Sequence, residues 1–283
     1  MEISTPHMDK NITQIVGLHR AEYELAKQKE FYSFLSEVGV ALLAIFSVFS
    51  TTTVAIYISS ILALSLTILR WYFSYSSNEH RKLADRGRRL LLLSNGLGYK
   101  FSSRELTDLI ACFSTSKKDV EKWDVADYYS VQSTVSPERF VSMLEESVFF
   151  SKHLYKESWK QTLWWFAGAV LLSLFTLMFL PSITAQAWTQ KIAQTLSVIL
   201  MFLISIDLFG RVIRFFQAAT DAEDIDSRLE QLMSNGLKEE DLIIVWGDYN
   251  SVIESAPLIP TLLYEKHKDR LNSLYSDRVS TTS

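Results

Sequence analysis

The stretch FYSFLSEVGVALLAIFSVFSTTTVAIYISSILALSLTILRWYFSYSS, which runs from Phe31 to Ser77, contains only two charged side chains, Glu37 and Arg70. One membrane crossing needs about 20 apolar residues to span about 30 Å of hydrocarbon. The stretch is more than twice that length, so it predicts two crossings joined by a tight turn at Thr51–Thr53. A second apolar block of the same kind extends from Gln161 to Phe216. The sequence therefore predicts a membrane protein with two transmembrane hairpins.

The predicted fold is all-α, because no run of residues shows the sustained alternation of apolar and polar side chains that is typical of strands. Four transmembrane helices form the two hairpins, and cytosolic helices extend them. The predicted parts are an N-terminal cytosolic helix (1–33), a first hairpin (34–75), a middle cytosolic segment (76–160), a second hairpin (161–216) and C-terminal cytosolic helices (217–283).

The distribution of Lys and Arg predicts the orientation in the membrane. The segment between the hairpins, Ser76–Thr162, holds 14 of these residues, whereas the two turns within the hairpins hold one between them, Lys191. By the positive-inside rule, the N-terminus, the middle segment and the C-terminus all lie in the cytoplasm. Almost no chain remains outside, which argues against a receptor for an external ligand.

Two helix starts are visible in the middle segment. Ser102-Ser103-Arg104-Glu105 has the pattern of a capping box and predicts a helix that extends to about Phe113. Ser136-Pro137-Glu138 predicts a second start, with serine as N-cap and proline at the first helical position. That helix continues through Tyr155 into the third span. The single cysteine, Cys112, falls on the first of these helices and is predicted to be a small buried core residue.

A short repeat relates the two halves of the chain. Leu93–Leu97 (LSNGL) recurs as Met233–Leu237 (MSNGL), each time after a hairpin and a polar helix. Two interpretations remain open. The chain is a duplication whose halves are parallel repeats about an axis along the membrane normal, or each Asn-Gly simply ends a helix, with the glycine in the left-handed conformation.

No pattern in the chain is typical of an enzyme. The zinc-protease helix motif, the phosphate-binding loop, the dinucleotide fingerprint and the nucleophile elbow are all missing. The five histidines lie far apart in the sequence, and none has the spacing of metal ligands. The sequence therefore predicts a protein that is not an enzyme, with no catalytic residue, no cofactor and no metal site.

Charged residues inside the apolar blocks are candidates for a conduction path, because an intramembrane charge is costly and often functional. Glu37 and Arg70 lie at similar depth if the first hairpin turns at Thr51–Thr53, and antiparallel packing then allows an ion pair with a purely structural role. Asp207 lies deeper in the fourth span, with Arg211 one helical turn further on. The alternative for these two is an internal pair that only lowers the cost of insertion.

A basic cluster follows the second span, in a middle segment whose net charge is +2, whereas Gln217–Ser283 has a net charge of −7. The positive-inside rule alone explains such a cluster. The functional alternative is an anionic ligand that stacks on nearby aromatic rings. The candidate ligand-binding residues are Arg81, Arg86, Arg88, Arg89, Tyr128, Tyr129 and Arg139.

Several short stretches, taken together with this layout, resemble a known family. They are Tyr23–Lys27 (YELAK), Asp127–Tyr129 (DYY), Glu146–Ser151 (ESVFFS), Asp248–Asn250 (DYN), Ala256–Pro260 (APLIP) and Leu271-Asn272. The chain resembles the four-transmembrane effectors, called S-4TM, of bacterial cyclic-oligonucleotide antiphage systems (CBASS). The similarity is architectural, extends over most of the chain and brings no catalytic signature with it.

The resemblance implies a multi-pass protein of the bacterial inner membrane that forms pores or disrupts the membrane in antiviral defence. It implies activation by a cyclic oligonucleotide, a second messenger made by a functionally linked nucleotide cyclase. A single four-helix subunit is too small to enclose a wide pore, so we expect a homo-oligomer. Two other functions remain open from the residues alone: a small constitutive ion channel or transporter with Asp207 in its path, and a membrane-bound scaffold for a cytosolic partner.

Overall fold

The computed structural model describes residues 6–115, 129, 134–179 and 186–282. These residues are helical and contain no strand, which confirms the predicted all-α class for this part of the chain. The helices are α1 (Pro6–Phe49), α2 (Thr53–Leu97), α3 (Ser103–Cys112), α4 (Pro137–Phe179), α5 (Gln186–Ser205), α6 (Leu208–Asn235), α7 (Glu239–Ser255) and α8 (Thr261–Thr282).

Three stretches are long and apolar enough to cross a membrane, as a membrane protein requires. They are Ile15–Phe49, Thr53–Leu97 and Trp188–Asn235, and only 11%, 6% and 11% of their most apolar windows are buried inside the protein. Apolar helices whose surface is not covered by protein need lipid or another apolar partner. The other predicted crossing, in the second half of α4, is not among these three stretches.

The described residues form two compact units. We call the first the polar unit; it comprises Met1–Lys27, Asn78–Ser158 and Arg214–Ser283. We call the second the apolar unit; it comprises Gln28–Ser77 and Trp159–Ile213. The three polar segments, predicted above as separate parts, therefore pack together as one unit.

All three segments of the polar unit contribute fully buried side chains, among them Val16, Leu91, Leu144 and Leu229. Burial of one such leucine contributes roughly 1.5–3 kcal/mol to the stability of the unit. Charge also joins the segments, because the middle segment is basic and the C-terminal one acidic. Lys152 of α4, for example, lies 2.6 Å from the carboxylate of Asp226 on α6.

The two predicted helix starts are confirmed. The Ser102 side chain accepts a hydrogen bond from the Glu105 N–H, and the Glu105 carboxylate accepts one from the Ser102 N–H, so α3 begins with a complete capping box. The backbone N–H of Arg139 donates to Ser136 Oγ at the start of α4. The prediction for Cys112 was wrong, because its side chain is exposed at the end of α3.

The two copies of the short repeat end their helices differently. In the second copy Gly236 has a φ of 93° and follows the last residue of α6. In the first copy α2 continues through Gly96 to Leu97, and the left-handed residue is Gly98, with a φ of 67°. Asn-Gly therefore ends a helix in only one of the two copies, since in the other copy α2 continues one residue past the glycine.

The fourth span, predicted as one helix from Ile192 to Phe216, is interrupted. Helix α5 ends at Ser205, helix α6 begins at Leu208, and Asp207 between them has a φ of 50°. Aspartate is one of the few residues that adopts this left-handed conformation readily. Its carboxylate lies over Gly210, where a Cβ would overlap it.

Candidate functional site

A cavity of about 350 Å³ lies within the polar unit. This volume falls in the range of roughly 300–1,000 Å³ that is usual for small-molecule sites. Helices α1, α2, α4, α7 and α8 all contribute to its wall. Five tyrosines line it: Tyr23, Tyr129, Tyr155, Tyr249 and Tyr264.

Charged side chains of both signs also line the cavity. Its cations are Arg20, Lys27, Arg81 and Arg88, and its acids are Glu24, Glu146 and Glu265. Tyrosine rings beside arginine and lysine provide stacking surfaces, hydrogen-bond donors and positive charge in one place. A ligand that carries both aromatic rings and anionic groups matches this combination.

Arg88 is the most deeply placed of these cations, with only 8% of its surface exposed. Its Nη2 donates to Asn250 Oδ1 at 2.8 Å, and its guanidinium lies 5.2 Å from the centre of the Tyr249 ring. Its Nε and Nη1 make no hydrogen bond within the described part of the chain. Arg88 Nε also lies 3.9 Å from a carboxylate oxygen of Asp85, an ion pair too long for a hydrogen bond. A buried N–H without a hydrogen bond is costly, so these nitrogens favour an anionic partner.

Arg81 lines the same cavity but is already occupied. One of its nitrogens donates to the backbone carbonyls of Ile253 and Ala256, at the C-terminal end of α7. The last carbonyls of a helix have no partner within the helix and carry partial negative charge, so a guanidinium there is favourable. Arg81 therefore fixes the end of α7 beside the cavity.

A small polar cluster joins α1 to the first residue of α8 at the cavity wall. Lys27 Nζ lies 2.7 Å from a Glu24 carboxylate oxygen and donates to Thr261 Oγ1 at 3.2 Å. Thr261 Oγ1 in turn donates to the other Glu24 oxygen at 3.1 Å. These contacts hold the segment that follows α7 against α1.

Burial raises the pKa of Tyr155 and the pKa of Tyr249 above the usual value for a phenol. Both hydroxyls therefore remain protonated at neutral pH and are available as hydrogen-bond donors. The Tyr249 hydroxyl is 3.0 Å from Ser151 Oγ, which links α7 to α4.

The structure brings only part of the predicted basic cluster to the cavity. Arg81 and Arg88 are seven residues apart, which places them on the same face of α2, and they line the cavity with Tyr129. Arg86 is exposed, and Arg89 forms an ion pair of 2.9 Å with Glu254. Neither these two nor Arg139, which lies at the start of α4, are among the cavity-lining residues, and Tyr128 lies outside the described residues.

The charged residues of the apolar unit are also placed. Glu37 of α1 and Arg70 of α2 form an ion pair, and the Ser205 hydroxyl donates to the same Glu37 carboxylate. Arg211 forms an ion pair with Glu30 of α1. Arg211 therefore has a partner on another helix, whereas the sequence suggested only Asp207 as its partner. Asp207 itself is exposed at the interruption between α5 and α6.

Most residues of the cavity wall were not among the predicted ligand-binding residues. The prediction named one of the five tyrosines as a ligand contact, since the others lie on helices distant in sequence. A signal was nevertheless present, because the short stretches that carry the family resemblance supply cavity residues. Each stretch contributes at least one of Tyr23, Tyr129, Glu146, Tyr249, Pro257 and Asn272.

The described residues contain no group of three or more His, Cys, Asp or Glu side chains that is arranged to hold a metal ion. No family model matches the chain, and no curated protein or solved structure matches it either.

Proposed function

We propose that this chain is a membrane effector that forms pores or disrupts the bacterial inner membrane when its polar unit binds a cyclic oligonucleotide, as part of antiviral defence. A nucleotide cyclase supplies the ligand. The effector acts as a homo-oligomer, because four helices enclose no wide pore by themselves.

One observation carries this proposal: the stretches that resemble the S-4TM effectors meet at a single cavity. All six stretches contribute to the cavity wall, although the first and the last are more than 200 positions apart in the sequence. They are YELAK, DYY, ESVFFS, DYN, APLIP and the Leu271-Asn272 pair. The unsatisfied donors of Arg88 favour an anionic group such as a phosphate, and the tyrosines favour a base.

The apolar unit supports the membrane part of the proposal. Its helices expose large apolar and aromatic side chains, including Trp71, Trp164 and Trp165, each of which is more than 60% exposed. Exposed tryptophans are frequent at the boundary between lipid and water. We propose four spans in two hairpins, with the apolar half of α4 as the third.

The polar unit supports the proposed orientation. Its three segments flank the apolar blocks in the sequence and pack together as one unit. Segments that pack together lie on the same side of the membrane. The excess of Lys and Arg in the middle segment favours the cytoplasmic side for this unit and for both termini.

Leakage from liposomes tests the proposal directly. The full-length chain is reconstituted in liposomes that contain a fluorescent dye, and synthetic cyclic dinucleotides and trinucleotides are added one at a time. We expect dye release with at least one of them and none with the linear oligonucleotide of the same composition. Release without any nucleotide supports the constitutive channel instead. An absence of release with every compound, despite correct insertion, contradicts the effector function.

A further inference from the structure

Two oxygen atoms of the apolar unit contact one cation, the guanidinium of Arg70. One belongs to the Glu37 carboxylate, which pairs with Arg70 Nε, and the other is the Ser205 carbonyl oxygen, which accepts from Arg70 Nη2 at 3.0 Å. The Ser205 hydroxyl does not contact Arg70 but donates to the other Glu37 oxygen and so orients the carboxylate. Glu37 is 8% exposed, so water does little to satisfy its charge.

The helix interruption explains why a carbonyl is available at this point. Helix α5 ends at Ser205, and the last carbonyls of a helix have no partner within it. In a membrane, non-helical backbone is tolerated only where protein or a water-filled cavity satisfies it. In transporters, backbone carbonyls at the ends of interrupted helices coordinate Na⁺.

We propose that Glu37 and Ser205 form a monovalent-cation site and that the Arg70 guanidinium occupies it as a tethered cation. Removal of the Arg70 side chain leaves a site that free guanidinium fills, and that smaller monovalent cations fill less tightly. The site lies in the apolar unit and is separate from the ligand cavity.

The binding test uses Arg70→Ala in the full-length chain, purified in detergent. Its melting temperature is measured in guanidinium chloride at millimolar concentration and in the chloride of the bulky cation N-methylglucamine at the same ionic strength. Guanidinium ordinarily destabilises proteins, so specific stabilisation is a distinctive result. At ten times the dissociation constant we expect the melting temperature to rise by about 3 °C.

Two variants serve as controls. Glu37→Gln combined with Arg70→Ala removes the carboxylate, so guanidinium should no longer raise the melting temperature. Arg104→Ala removes the same charge from an exposed pair with Asp108, where the two side chains are 3.8 Å apart and 92% and 69% exposed. It should show no specific response. If guanidinium changes the melting temperature of Arg70→Ala and of both controls equally, the cation site does not exist. That outcome would leave the proposed function untouched, since dye release by the wild type tests it separately.

A second comparison applies if Arg70→Ala does not accumulate in the membrane. Arg70→Lys places an ammonium in the site and Arg70→Gln places none. We expect Arg70→Lys to accumulate at least threefold better than Arg70→Gln, because the oxygens need a positive charge. Equal accumulation of the two variants contradicts the inference, since packing alone would then explain the role of Arg70.

Discussion

Gly96 lies against Phe140, so that a Cβ on Gly96 would be 2.9 Å from the Phe140 Cα and 2.7 Å from a ring carbon. This contact joins the end of α2 to the start of α4. Gly96→Ala should therefore destabilise the polar unit by about 1–3 kcal/mol, the usual cost of overpacking a rigid contact. Thermal unfolding of the purified protein measures the loss.

Gly247→Ala is the matched control for this substitution. Gly247 lies within α7 and nothing approaches its Cβ position within 4 Å. Alanine there should be neutral or should stabilise by about 0.5–1 kcal/mol, because it favours the helix. If both variants melt at the same temperature, the contact between Gly96 and Phe140 is not as tight as described.

Arg88 should determine ligand affinity. Arg88→Lys keeps the positive charge but cannot supply the same set of N–H donors. We expect the cyclic oligonucleotide that triggers dye release to bind about 10- to 100-fold more weakly, the equivalent of one lost charged hydrogen bond. Isothermal titration calorimetry measures the dissociation constant.

Arg86→Gln tests whether general positive charge on α2 is sufficient. Arg86 is exposed and does not line the cavity. The affinity of the Arg86→Gln variant for the same nucleotide should therefore differ from that of the wild type by less than twofold. A large effect of Arg86→Gln together with no effect of Arg88→Lys would move the binding site to the surface of α2.

Stability should fall at alkaline pH because of Tyr155 and Tyr249. Burial raises the pKa of both in the folded protein, whereas the unfolded chain titrates near pH 10. Above that pH the unfolded state has lost protons that the folded state retains, so the free energy of unfolding decreases by up to about 1.4 kcal/mol per pH unit for each tyrosine.

The double variant Tyr155→Phe with Tyr249→Phe provides the comparison for this pH effect. In this variant the free energy of unfolding should fall less steeply with rising pH than in the wild type, because the two tyrosines no longer contribute. Melting temperatures between pH 8 and pH 11 decide the matter. Identical slopes would show that other groups govern alkaline unfolding.

Asp207 should tolerate some substitutions because of its backbone rather than its charge. Its φ of 50° suits asparagine and glycine, so Asp207→Asn and Asp207→Gly should both accumulate in the membrane at wild-type level. Asp207→Val should destabilise by about 1–3 kcal/mol, because β-branched residues rarely adopt this conformation. Normal accumulation of the valine variant would show that the interruption is not needed.

The elements that the sequence predicted well depend on local patterns. The all-α class, the turn of the first hairpin, the capping box at Ser102 and the start at Pro137 each follow from neighbouring residues. Chain composition also sufficed to locate the apolar blocks, since hydrophobic length is a local property. Three of the predicted spans correspond to stretches that are long and apolar enough, and the third span, in the second half of α4, stays a prediction.

Features that depend on tertiary contact could not be predicted in this way. The interruption at Asp207 places an aspartate in the left-handed conformation three residues before Gly210, but aspartate and glycine at this spacing also occur inside continuous helices, so the sequence does not predict it. Gly96 and Gly236 have the same neighbours in the sequence. Gly96 nevertheless lies inside a helix, where its close contact with Phe140 leaves no room for a side chain. The cavity unites helices from all three polar segments, so only the packed unit reveals which arginines of α2 face it.

The exposed position of Cys112 has a practical consequence. It is the only cysteine of the 283 residues, and its thiol is accessible at the end of α3. A single dye or spin label can therefore be attached to the native sequence without any mutation. A membrane-impermeant maleimide applied to intact cells and to inverted vesicles reports on which side of the bilayer the middle segment lies.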